Sequence, residues 1–158
     1  MSDVCSHAPA DRRRTPSQVQ ALVAAAEANW AAEGERMTEP RRRVFEMLLQ
    51  AGEPVKAYHL MDHYAEGGHA AKPPTVYRAL EFLTRKGLVH RIASTNAFVA
   101  CSSGDVAHTA AFLICSCCGA TAEVAPPEHM GLSAAAEDEG FVIDHTTVEI
   151  LGRCRACR

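Results

Sequence analysis

The chain has 158 residues, 47% of them hydrophobic, with a formal net charge of −3. That is enough for one domain or two small ones, each with a modest core. No apolar run reaches membrane-spanning length and the polar N-terminus does not read as a secretory leader, so a cytoplasmic protein with no membrane partner is expected. The net charge alone argues against nucleic acid, but it is unevenly spread. Residues 1–100 carry 13 Lys/Arg against 11 Asp/Glu, while residues 101–158 carry 3 against 8. This asymmetry suits only the first half to a polyanion.

Residues 1–15 read as a disordered tail in which Arg12-Arg13-Arg14 is a solvated charge run and Cys5 and His7 are incidental. Thr15-Pro16-Ser17-Gln18 starts a helix: Thr15 caps, Pro16 fits the first turn and Gln18 completes a capping box. Val19, Leu22, Val23, Ala26 and Trp30 then fall on one face, and Gly34 ends the helix. A second helix starts near Thr38-Glu39-Pro40, turns Val44, Met47 and Leu48 inward, and stops at Gly52; Arg41, Arg42 and Arg43 crowd its first turns. A third runs over about 56–66 with Ala57, Leu60, Met61 and Tyr64 inward, until Gly67-Gly68 breaks it. Lys72-Pro73-Pro74-Thr75 launches a fourth, burying Val76, Ala79, Leu80 and Leu83 and presenting Tyr77, Arg78, Glu81 and Arg85 elsewhere, with Gly87 as terminator. Two short strands follow at 88–92 and 97–101 around the turn-forming Ser94-Thr95-Asn96. Helices followed by a hairpin is the order of a winged helix-turn-helix, whose last helix enters the major groove.

Beyond a small polar hinge at 102–106, strands are expected at 111–114 and 120–124. A helix is expected over 128–139 with Leu132, Ala135 and Ala136 inward, and strand-like runs at 141–143 and 147–151. The fold class is therefore α+β. The N-terminal winged helix-turn-helix spans 16–101 and a small C-terminal α/β domain spans 107–158.

The C-terminal half holds two Cys-x-x-Cys pairs, Cys115/Cys118 and Cys154/Cys157. Each fits a tight turn, and together they offer Zn²⁺ the four soft tetrahedral ligands it prefers in structural sites. Disulfides, buried thiols or a redox dithiol share the spacing. A reducing compartment ranks metal above disulfide. Cys117 blurs the first pair; Cys118 is favoured as the second ligand because Gly119 follows it and lets the backbone turn close to a metal.

Taken together, Lys72 to Leu80 (KPPTVYRAL), Gly87-Leu88-Val89-His90-Arg91, Ser94-Thr95-Asn96, His108-Thr109, Cys115 to Gly119 and the Cys154/Cys157 pair resemble the ferric uptake regulator family, most of all its zinc-sensing branch, the zinc uptake regulators. The resemblance covers roughly residues 17–158. It implies a homodimeric transcriptional repressor that binds double-stranded DNA at a palindromic operator, expected at zinc-uptake genes, with two Zn²⁺ per chain. One is structural, on Cys115, Cys118, Cys154 and Cys157. The other is regulatory, and the resemblance assigns it to His90, Cys101, His108 and Glu123. Their chemistry agrees: a thiolate among imidazoles and a carboxylate favours zinc over hard cations. By similarity, Tyr58 and Arg78 face bases, and Thr75, Tyr77 and Arg41 to Arg43 face phosphate.

The family's usual His-His-Asp-His stands here as Ala107-His108-Thr109-Ala110, which argues against a third metal at His145. Two alternatives stay within the family: a peroxide or redox sensor, kept open by Cys117, and an iron or manganese sensor, disfavoured by Cys101. An enzyme is not expected, nor a small organic substrate. The zinc-deaminase signature is missing, since no His is followed two residues later by Glu and Ile114 rather than Pro precedes Cys115.

Overall fold

The computed structural model describes residues 13–66, 73–101, 110–125, 131–143 and 146–158. They fall into two units, one within residues 10–106 and one within 107–158. The expected hinge at 102–106, together with Lys72, His108 and His145, lies outside the described residues.

The first unit opens on α1 (Pro16–Ala32), whose capping box forms as the sequence predicts. Thr15 Oγ1 accepts from the Gln18 N–H at 3.3 Å, and Gln18 Oε1 accepts from the Thr15 N–H at 2.9 Å. Both orphan donors of the first turn are thereby satisfied. Val19, Val23, Ala26 and Trp30 make its buried stripe. α2 (Glu39–Ala51) buries Val44, Phe45, Leu48 and Leu49. It stops at Gly52, which takes φ +64° and donates its N–H to the Leu48 carbonyl, a left-handed cap that glycine adopts without steric cost. α3 (Ala57–Glu66) and α4 (Pro73–Arg85) complete the helical layer. Trp30 meets Phe82 of α4 edge to face, with ring centroids 5.0 Å apart. Trp30, Val44, Leu48, Leu80 and Leu83 are almost wholly removed from solvent, and they lie in one cluster that unites α1, α2 and α4.

The hairpin strands β2 (Val89–Ile92) and β3 (Ala97–Ala100) pair antiparallel, with His90 opposite Val99. The sequence gives no sign of a third strand. β1 (Val55–Lys56) pairs with β3, making a sheet of order β1-β3-β2. Two residues are too short to carry a period, so only the partner strand defines it. The third helix accordingly begins at Ala57, not at Lys56.

The second unit is a three-stranded sheet of order β5-β4-β6. β4 (Ala110–Cys115) is its centre, antiparallel to β5 (Thr121–Val124) and parallel to β6 (Thr147–Gly152). A parallel pair needs a crossover, and the chain between β5 and β6 includes α5 (Leu132–Asp138). Two expectations fail here. α5 is seven residues long and buries none of them; Leu132 is exposed, Ala135 is exposed and Ala136 is half-buried. Residues 141–143 form no strand and are exposed, with Val142 at 90%. Periodicity shows only that a face is apolar, and within this chain the described residues put nothing over it.

Candidate metal centres and nucleic-acid face

The first centre follows from the β4–β6 register. Cys115 ends β4 directly opposite Gly152, the last residue of β6. The Ser116 N–H and Oγ both donate to the Gly152 carbonyl, at 2.9 and 3.0 Å, which ties the two chain ends together. The turn after β4 then closes on itself. Cys115 N–H donates to Ala120 O at 2.8 Å and Gly119 N–H to Cys115 O at 2.9 Å. Gly119 sits at φ +74°, a left-handed turn of the kind that lets backbone pass close to a metal. Two residues beyond Gly152, Cys154 N–H donates to Cys115 Sγ at 3.3 Å, and a single 3-10 turn, Arg155–Cys157, brings round Cys157.

The ligand atoms of Cys115, Cys118, Cys154 and Cys157 therefore all lie within 4.8 Å of one another. Cys118 Sγ and Cys154 Sγ are 3.8 Å apart. A disulfide requires about 2.05 Å. A zinc–sulfur bond of about 2.3 Å sets the edge of a tetrahedron at about 3.8 Å. The four thiols fit a tetrahedral thiophilic cation and do not fit two disulfides. Cys115 is buried, the other three are half-buried, and Cys117 points outward, exposed, and does not join the cluster.

Electrostatics prepare the cluster for a cation. Cys115 is lowered to about 6, chiefly by the backbone N–H of Cys118 and next by that of Cys154, both of which stabilise the thiolate. Cys118 moves the other way. The Ala120 amide pulls it down, but the neighbouring Cys115 sulfur and burial together push it up. These amides thus favour a thiolate at Cys115, and its sulfur disfavours ionisation of Cys118.

The second set of expected ligands is distributed between the units. His90 on β2 and Cys101 just past β3 are both buried. The antiparallel register carries them to the same end of the hairpin, so that a His90 ring nitrogen and Cys101 Sγ lie within 4.8 Å of each other. Glu123 is half-buried on β5, opposite Phe112 of β4. The Cys101 main chain is held at both ends: its N–H donates to Leu88 O at 2.9 Å, and its carbonyl accepts from Arg14 Nη2 at 3.3 Å. Arg14, expected in a solvated charge run of a disordered tail, is instead half-buried on this carbonyl; the contact spans 87 residues and local pattern cannot report it.

The expected DNA-facing side chains divide by exposure. Tyr58 on α3 is 51% exposed, Tyr77 on α4 is 49% exposed, Arg78 is exposed and Thr75 is half-buried. Arg41 is engaged within the fold. Its guanidinium stacks 3.3 Å from the Phe82 ring centroid, and its Nη1 donates to the Arg36 carbonyl at 2.6 Å. Arg42 pairs with Glu27.

The sequence model of the ferric uptake regulator family matches residues 32–151. The zinc uptake regulation protein of Escherichia coli K12 is 39% identical over 140 residues, 87% of this chain and 82% of its own length. A solved zinc uptake regulator complexed with zinc and DNA superposes with a TM-score of 0.79 at 38% identity, covering 91% of this chain and 96% of that one. The crystal structure of holo XcZur gives 0.74 at 40% identity, covering 87% and 96%.

Proposed function

The chain belongs to the ferric uptake regulator family, and from that premise we propose that it is a zinc-responsive transcriptional repressor. It acts as a cytoplasmic homodimer on double-stranded DNA at a palindromic operator, controlling genes of zinc uptake. Relatives named as zinc uptake regulators, one of them solved with zinc and DNA, support this reading. The observation that carries it is a buried His–Cys pair at the foot of the wing, in the same unit as the helix that presents Tyr77 and Arg78.

On this reading the chain takes two Zn²⁺. Cys115, Cys118, Cys154 and Cys157 hold the first, and His90, Cys101, His108 and Glu123 the second. When bound, zinc supplies tetrahedral bonds that tie its ligands together, without redox chemistry. The first set fastens the end of β6 to the end of β4. The second set is drawn from both sides of residues 102–106, so a shared ion restrains that connection. A restrained dimer holds its two α4 helices at one spacing, matched to half-sites a helical turn or a multiple apart. An unrestrained one must order itself on DNA, and that cost weakens binding.

The chain's own groups then read the operator. Arg78 offers two parallel N–H donors to guanine O6 and N7, the most frequent specific contact in the major groove. Tyr58 lies against bases. Thr75, Tyr77 and Arg41, the last preset over Phe82, address phosphate and fix the register.

The test is selection from a random duplex pool. Zinc-loaded protein is expected to enrich a two-fold symmetric sequence, and mildly chelated protein none. Enrichment that survives chelation and is abolished by peroxide would replace zinc sensing with a redox reading.

A further inference from the structure

We infer that Arg14 is a positioning residue of the regulatory zinc site, holding Cys101 from behind; the inference rests on the reading of Cys101 as a ligand. β3 ends at Ala100, so Cys101 leaves the sheet as the chain departs. One of its backbone groups is fixed by the wing itself, through the N–H to the Leu88 carbonyl. The other, the carbonyl, accepts from a side chain far away in sequence, the Arg14 guanidinium. A ligand whose backbone can rotate does not present its sulfur in a set direction. Two tethers on one residue's peptide groups remove that freedom.

The origin of this tether is rigid. Arg14 directly precedes Thr15, whose N–H and Oγ1 are both bound by Gln18 in the capping box. α1 is itself sunk into the core through Val19, Val23, Ala26 and Trp30. The guanidinium is therefore delivered from a fixed point, half-buried, to the foot of the wing. Arginine keeps its charge and donors at every physiological pH, so the tie does not switch off by itself. Groups that orient metal ligands from the outer shell commonly contribute about 10- to 100-fold in affinity. The coupling is reciprocal: a metal that fixes Cys101 must also fix Arg14 and slow the opening of the segment before α1.

The experiment uses the full chain with its labile zinc removed by mild chelation, titrated with zinc against a competing chelator. Arg14→Ala is expected to weaken the labile site by about 10- to 100-fold, while the chelation-resistant zinc stays bound. Arg14→Lys, which keeps the charge and a donor, is expected to recover part of the loss. Cobalt(II) in the labile site of Arg14→Ala is expected to show weakened sulfur-to-metal absorption, restored in Arg14→Lys. In the unmodified protein, zinc is expected to slow tryptic cleavage after Arg14. Unchanged affinity and unchanged cobalt spectra in Arg14→Ala overturn the inference. Cys101→Ser separates the two readings. If it leaves the labile zinc in place, Cys101 is not a ligand and the site assignment fails with everything built on it. If it removes that zinc while Arg14→Ala binds normally, only the role of Arg14 fails.

Discussion

Replacing Cys154 with alanine should unfasten one unit of the protein and leave the other intact. Among the described residues of the C-terminal unit, the buried side chains are Ala110, Ala111, Phe112, Ile114 and Cys115, all on β4. β6 contributes no buried residue and neither does α5. Phe112 and Ile114 are the large ones among these, and full burial of such side chains is worth about 1.5–3 kcal/mol each. A structural four-thiolate zinc site is worth about 10–16 kcal/mol. The ion outweighs the apolar burial of the unit's described residues. Losing even about 5 kcal/mol of that makes local opening roughly 4,000 times more frequent, at about 1.4 kcal/mol per tenfold. The assay is native hydrogen exchange read peptide by peptide, alongside zinc counting. Cys154→Ala should lose the chelation-resistant zinc. Its β4 and β6 amides should exchange about as fast as an unfolded chain, while those of α1, α2 and α4 keep their protection. Protected β6 amides in a variant shown to lack that zinc would refute the reasoning, because something other than the ion would then be holding the strand.

Arg78→Ala should cost about 1–3 kcal/mol of discrimination at one base pair of each half-site and flatten the preference there, read by gel shift on a single-base-substituted operator panel; undiminished selectivity would remove Arg78 from base readout. Trp30→Ala, which empties the core position beside Phe82, should destabilise the N-terminal unit by about 3–5 kcal/mol in urea unfolding without altering the zinc count.

Much of this architecture was legible where local chemistry sets it. Thr15, Pro16 and Gln18 specify a helix start without tertiary help, and Gly52 specifies a stop. Cys115, Cys118, Cys154 and Cys157 announce a four-ligand set by spacing, and Gly119 favours Cys118 over Cys117; the closure of the turn on Cys115 and Gly119 leaves Cys117 outside the set. The proximity of His90 to Cys101 follows from a hairpin register that a turn at 94–96 already implies. What stayed hidden depends on distant partners. β1 exists because β3 offers it hydrogen bonds. The apolar positions of α5 and of 141–143 promised burial that this chain does not supply. That Arg41 is held over Phe82 is equally invisible, because nothing local reveals the ring beneath it. The role of His90, Cys101, His108 and Glu123 as a single set came from family resemblance rather than from their own pattern.

The chain has one tryptophan, and it lies at 1% exposure against Phe82. Selectively excited emission therefore originates entirely in the DNA-reading unit. A fluorescence melting curve of this protein is a melting curve of that unit alone, optically blind to the state of the four thiols. Two samples differing only in whether the C-terminal knuckle is fastened will give the same emission maximum, and an apparently intact spectrum is no certificate of a metal-replete repressor.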